Sequence, residues 1–588
     1  MSRRAYASGP WALDDLIPAD SGPDMESVFA GVEAAVTAVE SKRSALVPEI
    51  EEETFVEILG LVEQSAYVAQ LLDGYAVLRF FADTQDQDAL AFRGRVDRML
   101  ADARSRTLFF DIWWKSLDGA NAQRLLAVAG DKAYYMDKLR KFAPYTLSEV
   151  EERVIEIKNA NGAGGMVTLY SMITGGLTFD LVMDGETHTL TRSQIFDFVR
   201  DASPELREKA YRSFLGVYDA HRGKLAQIFK YIAADWHDEH VALRGAPSPI
   251  SVRNLDNDIP DEVVDVLLDS CRDHVGLYQR YFKLKAKWLG LEKLRRFDLH
   301  APIGGAEREF PFADGVRLVL ETFRGFSPKL AELAERVLAE GHLDSIPRPG
   351  KRGGALSWDA LPGVTPWVLM SYTDRVSDVT TLAHELGHAV HALMAADHSV
   401  LTFSPSQPLA ETASSFAQIL LLEAMLKGGD AQQRRTLLAK YIEDSYSQIL
   451  RQAFRVLFER EAHRLIAEGA TPDELSAAYM EGFHEQFGES VESDDSFKNE
   501  WLSISHFYTE PFYDYAYAFG LLLVLSLYQR YKEEGEVFVP RYLKILAYGG
   551  SKPPIAVLDE AGFDIRERAF WQGGFGMLSA MVDELESL

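Results

Sequence analysis

Between Thr381 and Met394 the chain reads TLAHELGHAVHALM, and five of these residues, His384-Glu385-Leu386-Gly387-His388, constrain the fold more than any other stretch. Positions four apart on an α-helix lie one above the other. His384 and His388 therefore share a helix face and can reach one ion. Glu385, one position on, can reach a water on that ion. The neighbouring residues predict the helix: Leu382, Leu386, Val390 and Leu393 recur at helical spacing, and Ala383, Ala389 and Ala392 favour it. Gly387 opposes it, at a cost of about 1 kcal/mol against Ala. Gly387 is either a tolerated small residue or a place where another element packs close. Two histidines at this spacing also occur as ordinary, partly buried side chains, so a third ligand has to decide.

A catalytic zinc keeps three protein ligands and leaves a fourth position for water. An extended pattern with a third histidine on the same segment fails, because His391 and Met394 stand where it needs Gly and His. A glutamate from a separate helix is the other solution. Pro408-Leu409-Ala410-Glu411-Thr412-Ala413 opens a long apolar helix. A carboxylate in such a first turn needs a partner, which an ion supplies. The plain alternative is a charge favoured at a helix N-terminus. Asp397 and His398 fall in the loop directly after the motif helix and are weaker choices. Glu423 lies further along and is expected to be exposed. His391 is expected behind the ligands or facing solvent. In this reading Glu385 takes a proton from water and passes it to the leaving amine, which is amide hydrolysis without a covalent enzyme intermediate.

The oxyanion needs a donor besides the metal. His506–Gly520, HFYTEPFYDYAYAFG, offers Tyr508, Tyr513, Tyr515 and Tyr517, with Glu510 and Asp514 to orient them or to hold a cationic peptide end. Phenols donate hydrogen bonds and tolerate burial, so an aromatic core helix is the competing reading for each.

At 588 residues the chain exceeds one typical domain, and its hydrophobic and charged content is that of a soluble globular protein. A net charge of −28 argues against nucleic acid and anionic membrane as partners. With Cys271 as the single cysteine there is no intramolecular disulfide, which suits a reducing compartment; Cys271 sits in an amphipathic stretch and reads as a buried small hydrophobe. No secretory signal is visible, and the longest apolar run, Phe519–Leu527, is too short to span a bilayer. A cytoplasmic location is expected.

In chain order, Met1–Ile17 reads as an extended arm. Glu26–Leu61 and Gln64–Trp114 read as helical, and Thr146–Asn159 as a helix capped by Ser148 and Glu151. Asn159–Gly165, NANGAGG, reads as a break. Leu177–Val182 and Thr187–Thr191 flank Asp184-Gly185 and predict a hairpin. Pro204–Leu291 is helical again. Phe297–Pro311 and Asp344–Thr373 lose helical periodicity and could supply strands; between them, Ser327-Pro328 starts a helix that Gly341 ends. Trp367–Thr373 reads as a strand ahead of the motif helix, either an edge that pairs an extended peptide or an ordinary core strand. Most of Leu409–Leu588 is helical, and no repeat is visible. The expectation is a mainly α protein with a small β element beside the metal helix. Residues 1–199 would form a helical lobe with a hairpin near 177–191, and residues 200–588 a catalytic domain.

HELGHAVH, LAETAS and HFYTEPFYDYAYAFG together resemble the M3 family of zinc oligopeptidases, particularly its oligoendopeptidase F branch. GKRGGALSW at Gly350–Trp358, PWVLMSYTDRVSDVTTLAHELGH at Pro366–His388 and GGSKPPIAVLDEAGFDI near the C-terminus are similar to the same branch. The similarity covers roughly residues 200–580. It implies a two-lobed helical fold with a deep substrate channel and cleavage of short peptides. It implies one Zn2+ per chain held by His384, His388 and Glu411, with Glu385 as base and His506 binding substrate. The family uses tyrosines after that histidine to stabilise the transition state; Tyr508 and Tyr515 match best, followed by Tyr513 and Tyr517. A zinc carboxypeptidase of similar fold and a non-catalytic peptide-binding protein are the alternatives.

Overall fold

The computed structural model describes residues 8–18, 22–303 and 309–588. The first seven residues of the expected arm lie outside the described residues, as do 304–308 of the stretch 297–311. The protein is mainly α, with three small sheets among the described residues. Compactness divides it into two interleaved units. One comprises residues 1–143, 306–427 and 530–564; the other comprises 144–305, 428–529 and 565–588.

In the first unit, Gly22–Ser41, Glu52–Ala82 and Gln87–Ser116 pack as long helices. The periodicity expected to run on through 26–61 and 64–114 is interrupted at 42–51, where Pro48 falls, and at Asp83. Glu52–Ala82 is long and apolar enough to cross a membrane, and so is Gln407–Gly428. The first contributes to two apolar clusters, with Phe55, Ile58 and Leu59 in one and Leu72, Tyr75 and Leu78 in the other. The second buries Phe416, Ile419 and Leu421. The apolar stretch of the second is 67% buried within the protein, that of the first only 22%. Gly74 on the first helix receives the Trp358 ring so closely that a Cβ there would lie 1.9 Å from it. That approach seats the helix against the sheet.

The three-stranded sheet of this unit runs Leu343–Asp344, Trp367–Leu369, Leu356–Trp358 in spatial order, parallel and then antiparallel. Trp367–Leu369 is its central, fully buried strand and ends four residues earlier than expected. With neighbours on both sides it is a core strand, so its backbone has no edge to offer a peptide. Leu343–Asp344 and Leu356–Trp358 are its two edges. The arm is not free: Ser345 N–H donates to Gly9 O, Ala12 N–H to Gly341 O, and Trp367 Nε1–H to Ala12 O.

In the second unit the expected hairpin forms between Phe179–Met183 and Glu186–Leu190. Asp184 and Gly185 supply the two positive φ values that a tight turn with the strand twist requires. Ser148 and Glu151 make the expected reciprocal cap of Glu149–Asn161. NANGAGG interrupts less than expected. The helix stops only at Gly162, whose backbone leaves helical values at ψ −95°, and resumes as Ala163–Gly175. The Arg207–Asp298 pair, at 2.7 Å, is fully buried, and Cys271 is buried as expected.

His463 lies in this interior between the rings of Phe229 and Phe512, and neither ring nitrogen has a hydrogen-bond partner. Burial pushes its pKa down to about 3, from an ordinary value near 6.5. Its folded form is therefore neutral while the unfolded chain takes a proton first. Its contribution to stability is complete above about pH 6.5 and is lost as pH falls towards 3. In denaturant titrations, wild type should lose stability relative to His463→Leu as pH drops through that window, by roughly 1 kcal/mol or more. A pH-independent difference between the two would refute the assignment.

Candidate metal centre

The motif occupies Val376–Met394 in the first unit. Asp378 fixes where that helix begins: its carboxylate accepts from the Thr373 N–H at 2.6 Å and the Arg375 N–H at 3.1 Å. Leu382, Leu386 and Val390 bury one face. That orientation leaves His384 and His388 half-buried on another face, with Nε2 atoms 3.2 Å apart.

Glu411 comes from the short turn between Gln407–Ala410 and Thr412–Gly428. Its Oε2 lies 3.4 Å from His384 Nε2 and 3.5 Å from His388 Nε2. Three donors about 2.0–2.1 Å from a tetrahedral ion are separated from one another by roughly 3.3 Å. The three observed separations fit that edge length. Two imidazoles and one carboxylate are also the donor chemistry that zinc takes while keeping a position for water.

Gly387 explains how Glu411 gets there. A Cβ at Gly387 would lie 2.6 Å from Ser414 Cα and 2.8 Å from Ala413 O. The glycine, between the two histidines in sequence, therefore lets the Thr412–Gly428 backbone rest on the motif helix, and the close-packing reading is the correct one. Ser414 Oγ donates to Glu411 Oε2 at 2.7 Å and holds the carboxylate rotamer. The loop before Glu411 is clamped from far away in sequence. Gly550 N–H donates to Thr402 O, and a Cβ at Gly549 or Gly550 would meet Phe403 O or Ser404 O within 2.3 Å. This is the physical content of the GGSK stretch.

His391 is buried, so the solvent-facing option is excluded. His398 binds Ala547 O, and Glu423 pairs with Lys532 at 3.2 Å. Glu385 is buried, and its pKa is pushed up to about 8, first by burial and then by the nearby charges of Glu411 and Asp359. Asp359, just beyond the edge strand, is itself pushed up to about 7 by burial and then by Glu411. Burial pulls His388 down to about 4, so it is a neutral imidazole at pH 7. Asp359 and Ser414 are site residues that sequence reasoning missed. An acid 52 positions before Glu411 carries no local signal.

His506 and the four tyrosines belong to the second unit. His506 Nδ1 lies 2.5 Å from Asp514 Oδ1, a buried carboxylate. The rings of Tyr513 and Tyr517 stand 5.1 and 6.1 Å from its imidazole, and both residues are partly exposed. Tyr508 and Tyr515 are not. Tyr508 stacks on Tyr170 at 3.7 Å inside the core, and Tyr515 OH accepts from Asn257 at 2.7 Å. The family resemblance favours Tyr508 and Tyr515, whereas exposure favours the other pair: a phenol at 0 or 1% exposure has no face for a ligand. The segment is held taut. Phe512 adopts φ of +58°, an unusual value for a bulky residue, and its N–H donates to the buried Glu459 at 2.9 Å.

Comparison with known proteins follows the same residues. A model of peptidase family M3 matches residues 198–577. Oligopeptidase PepF of Bacillus subtilis is 25% identical over 593 residues, covering 99% of this chain and 87% of that protein. An oligoendopeptidase F homolog of Borreliella burgdorferi is 26% identical over 547 residues, covering 91% and 90%. Among solved structures, a chain from Chlamydophila abortus superposes with a TM-score of 0.89 at 22% identity, covering 99% of this chain and 100% of that one. Oligoendopeptidase-F of Enterococcus faecium does so with a TM-score of 0.73 at 20% identity, covering 96% and 98%. At these identities the solved structures show a shared fold.

Two substitutions test the local geometry. Ser414→Ala should lower zinc affinity about 10- to 100-fold in chelator competition, since Glu411 loses its orienting donor. Gly387→Ala should lower it at least as much by forcing the two backbones apart. Wild-type affinity in both folded variants would show that the carboxylate is held by something else.

Proposed function

Because the chain belongs to peptidase family M3, in its oligoendopeptidase F branch, and is a metalloendopeptidase, we propose that it is a cytoplasmic zinc enzyme that cuts short oligopeptides at internal bonds. The observation that carries the reading is the convergence of His384 Nε2, His388 Nε2 and Glu411 Oε2 within 3.5 Å of one another, beside a buried Glu385.

In this reading His384, His388 and Glu411 hold one zinc ion. A zinc ion bound there would acidify a water and polarise a peptide carbonyl. The protein's own groups do the rest. His388 is neutral before any ion arrives, so it presents a lone pair rather than a proton. Ser414 fixes the Glu411 oxygen that faces the imidazoles. Glu385 takes the proton of the attacking water and returns it to the departing amine. Its apolar surroundings raise its basicity, which suits a group that must accept and then donate near neutral pH. Asp359 reinforces that basicity through its charge.

We assign substrate contact to His506, held by Asp514, and to the accessible phenols of Tyr513 and Tyr517 in preference to Tyr508 and Tyr515. An imidazole whose Nδ1 is engaged by a carboxylate keeps Nε2 for a ligand. Oligopeptides are the partners; the net charge of −28 disfavours nucleic acid and anionic membrane.

Glu385→Gln should keep its zinc and lose hydrolysis of an end-blocked quenched peptide by several orders of magnitude. Near-normal turnover would remove Glu385 from the mechanism. Cleavage confined to single C-terminal residues would favour a carboxypeptidase, and zinc-replete binding without turnover would favour a peptide-binding protein.

A further inference from the structure

We propose that a cavity inside the second unit, walled by Arg296, Arg451 and Arg455, is a binding site for one small monovalent anion of the halide class. The cavity measures about 30 Å³, and Glu500 is the sole acidic residue in its lining. That single carboxylate is shared. Arg296 Nη2 donates to its Oε1 at 2.7 Å, Arg451 Nη2 reaches the same oxygen at 3.5 Å, and Tyr479 OH donates to Oε2 at 3.0 Å. Arg455 Nη1 donates to the uncharged Gln452 Oε1 at 2.8 Å, and its nearest carboxylate oxygen, Asp514 Oδ2, is 3.5 Å away on a group whose other oxygen is already engaged by His506. Arg296 Nε and Arg455 Nε are buried and have no hydrogen-bond partner among the described residues.

Three guanidiniums therefore face one shared carboxylate and one distant carboxylate already engaged elsewhere. Buried cations without counter-charge are costly, and arginine does not shed its proton to relieve the cost. The surroundings deepen the imbalance. Burial, followed by the charges of Arg451, Arg296, Lys285 and Arg200, holds the neighbouring His300 well below the usual imidazole range. Burial and then Arg451 likewise lower Arg455, whereas Glu500 raises Arg296 against its burial, so the unbalanced cation is Arg455. This local excess of positive charge lies in a chain whose net charge is −28.

Size selects the occupant. The space admits a body of one or two waters, which excludes a nucleotide and a peptide terminus with its chain. A water could accept hydrogen bonds from the free Nε groups but would not neutralise them. A halide does both. The site does not depend on the peptidase reading, and its test uses no peptide.

Thermal unfolding of the full chain would be followed in sodium chloride, sodium bromide or sodium gluconate at equal ionic strength. The midpoint should rise saturably with chloride or bromide over gluconate, by about 1–3 °C. Bromide-soaked crystals should show anomalous density between Arg296, Arg451 and Arg455. Arg455→Gln should abolish the halide-specific shift; Arg451→Gln, at a more exposed position, should weaken it and serves if the first variant fails to fold. Coincident halide and gluconate curves, a shift that survives in the folded variants, or a cavity holding water with no bromide would each overturn the proposal.

Discussion

The contact on which the metal centre depends is backbone against backbone at Gly387. Because no Cβ intervenes, Ser414 Cα and Ala413 O close on the motif helix, and the next turn back delivers Glu411 to the two imidazoles. Everything that fixes this crossing works on its two sides. Asp378 sets the start of one helix, and Pro408 lies at the start of the short turn before Glu411. Gly549 and Gly550 clamp the intervening loop through the carbonyls of 402–404. Even so small a group as a methyl at position 387 would separate ligands that must stand about one tetrahedral edge apart.

The electrostatics of the site follow from the same burial. The acids Glu385 and Asp359 are raised, the imidazole of His388 is lowered, and desolvation leads in each case. A water-poor wall disfavours charge on every group at once. Glu411 is the exception: the two imidazoles and Ser414 outweigh its desolvation and keep its carboxyl low. A pocket with one stabilised carboxylate facing two imidazoles, and a second carboxyl made basic nearby, divides the labour between holding a cation and moving a proton.

How much of this was legible in the sequence depends on distance along the chain. The motif helix, the Asp184-Gly185 hairpin and the Ser148 cap rest on contacts within a few residues, and the folded protein contains them. The placement of Glu411 near His384 and His388 was legible because a carboxylate opening an apolar helix needs a reason. The role of Gly387 was open, since nothing local says what packs on it. Asp359 and the Gly549–Gly550 clamp act across tens to more than a hundred residues and leave no periodic trace, and Ser414, only three residues from Glu411, has a role only because Glu411 is a ligand. The tyrosines show the limit most clearly. Four phenols within ten residues look equivalent in sequence, and only packing sends Tyr508 against Tyr170 and Tyr515 to Asn257 while leaving Tyr513 and Tyr517 beside His506. The strand Trp367–Leu369 makes the same point, because whether a strand is central or at an edge depends on what pairs with it.

Zinc K-edge absorption spectroscopy of the full-length, zinc-loaded protein tests the central claim most directly. The account predicts a shell of two imidazole nitrogens with the remainder oxygen, at about 2.0–2.2 Å. It further predicts that Glu411→Ala alters the oxygen shell and leaves the imidazole signal in place. A sulfur shell, a third imidazole, or an oxygen shell unchanged by removal of Glu411 would contradict it.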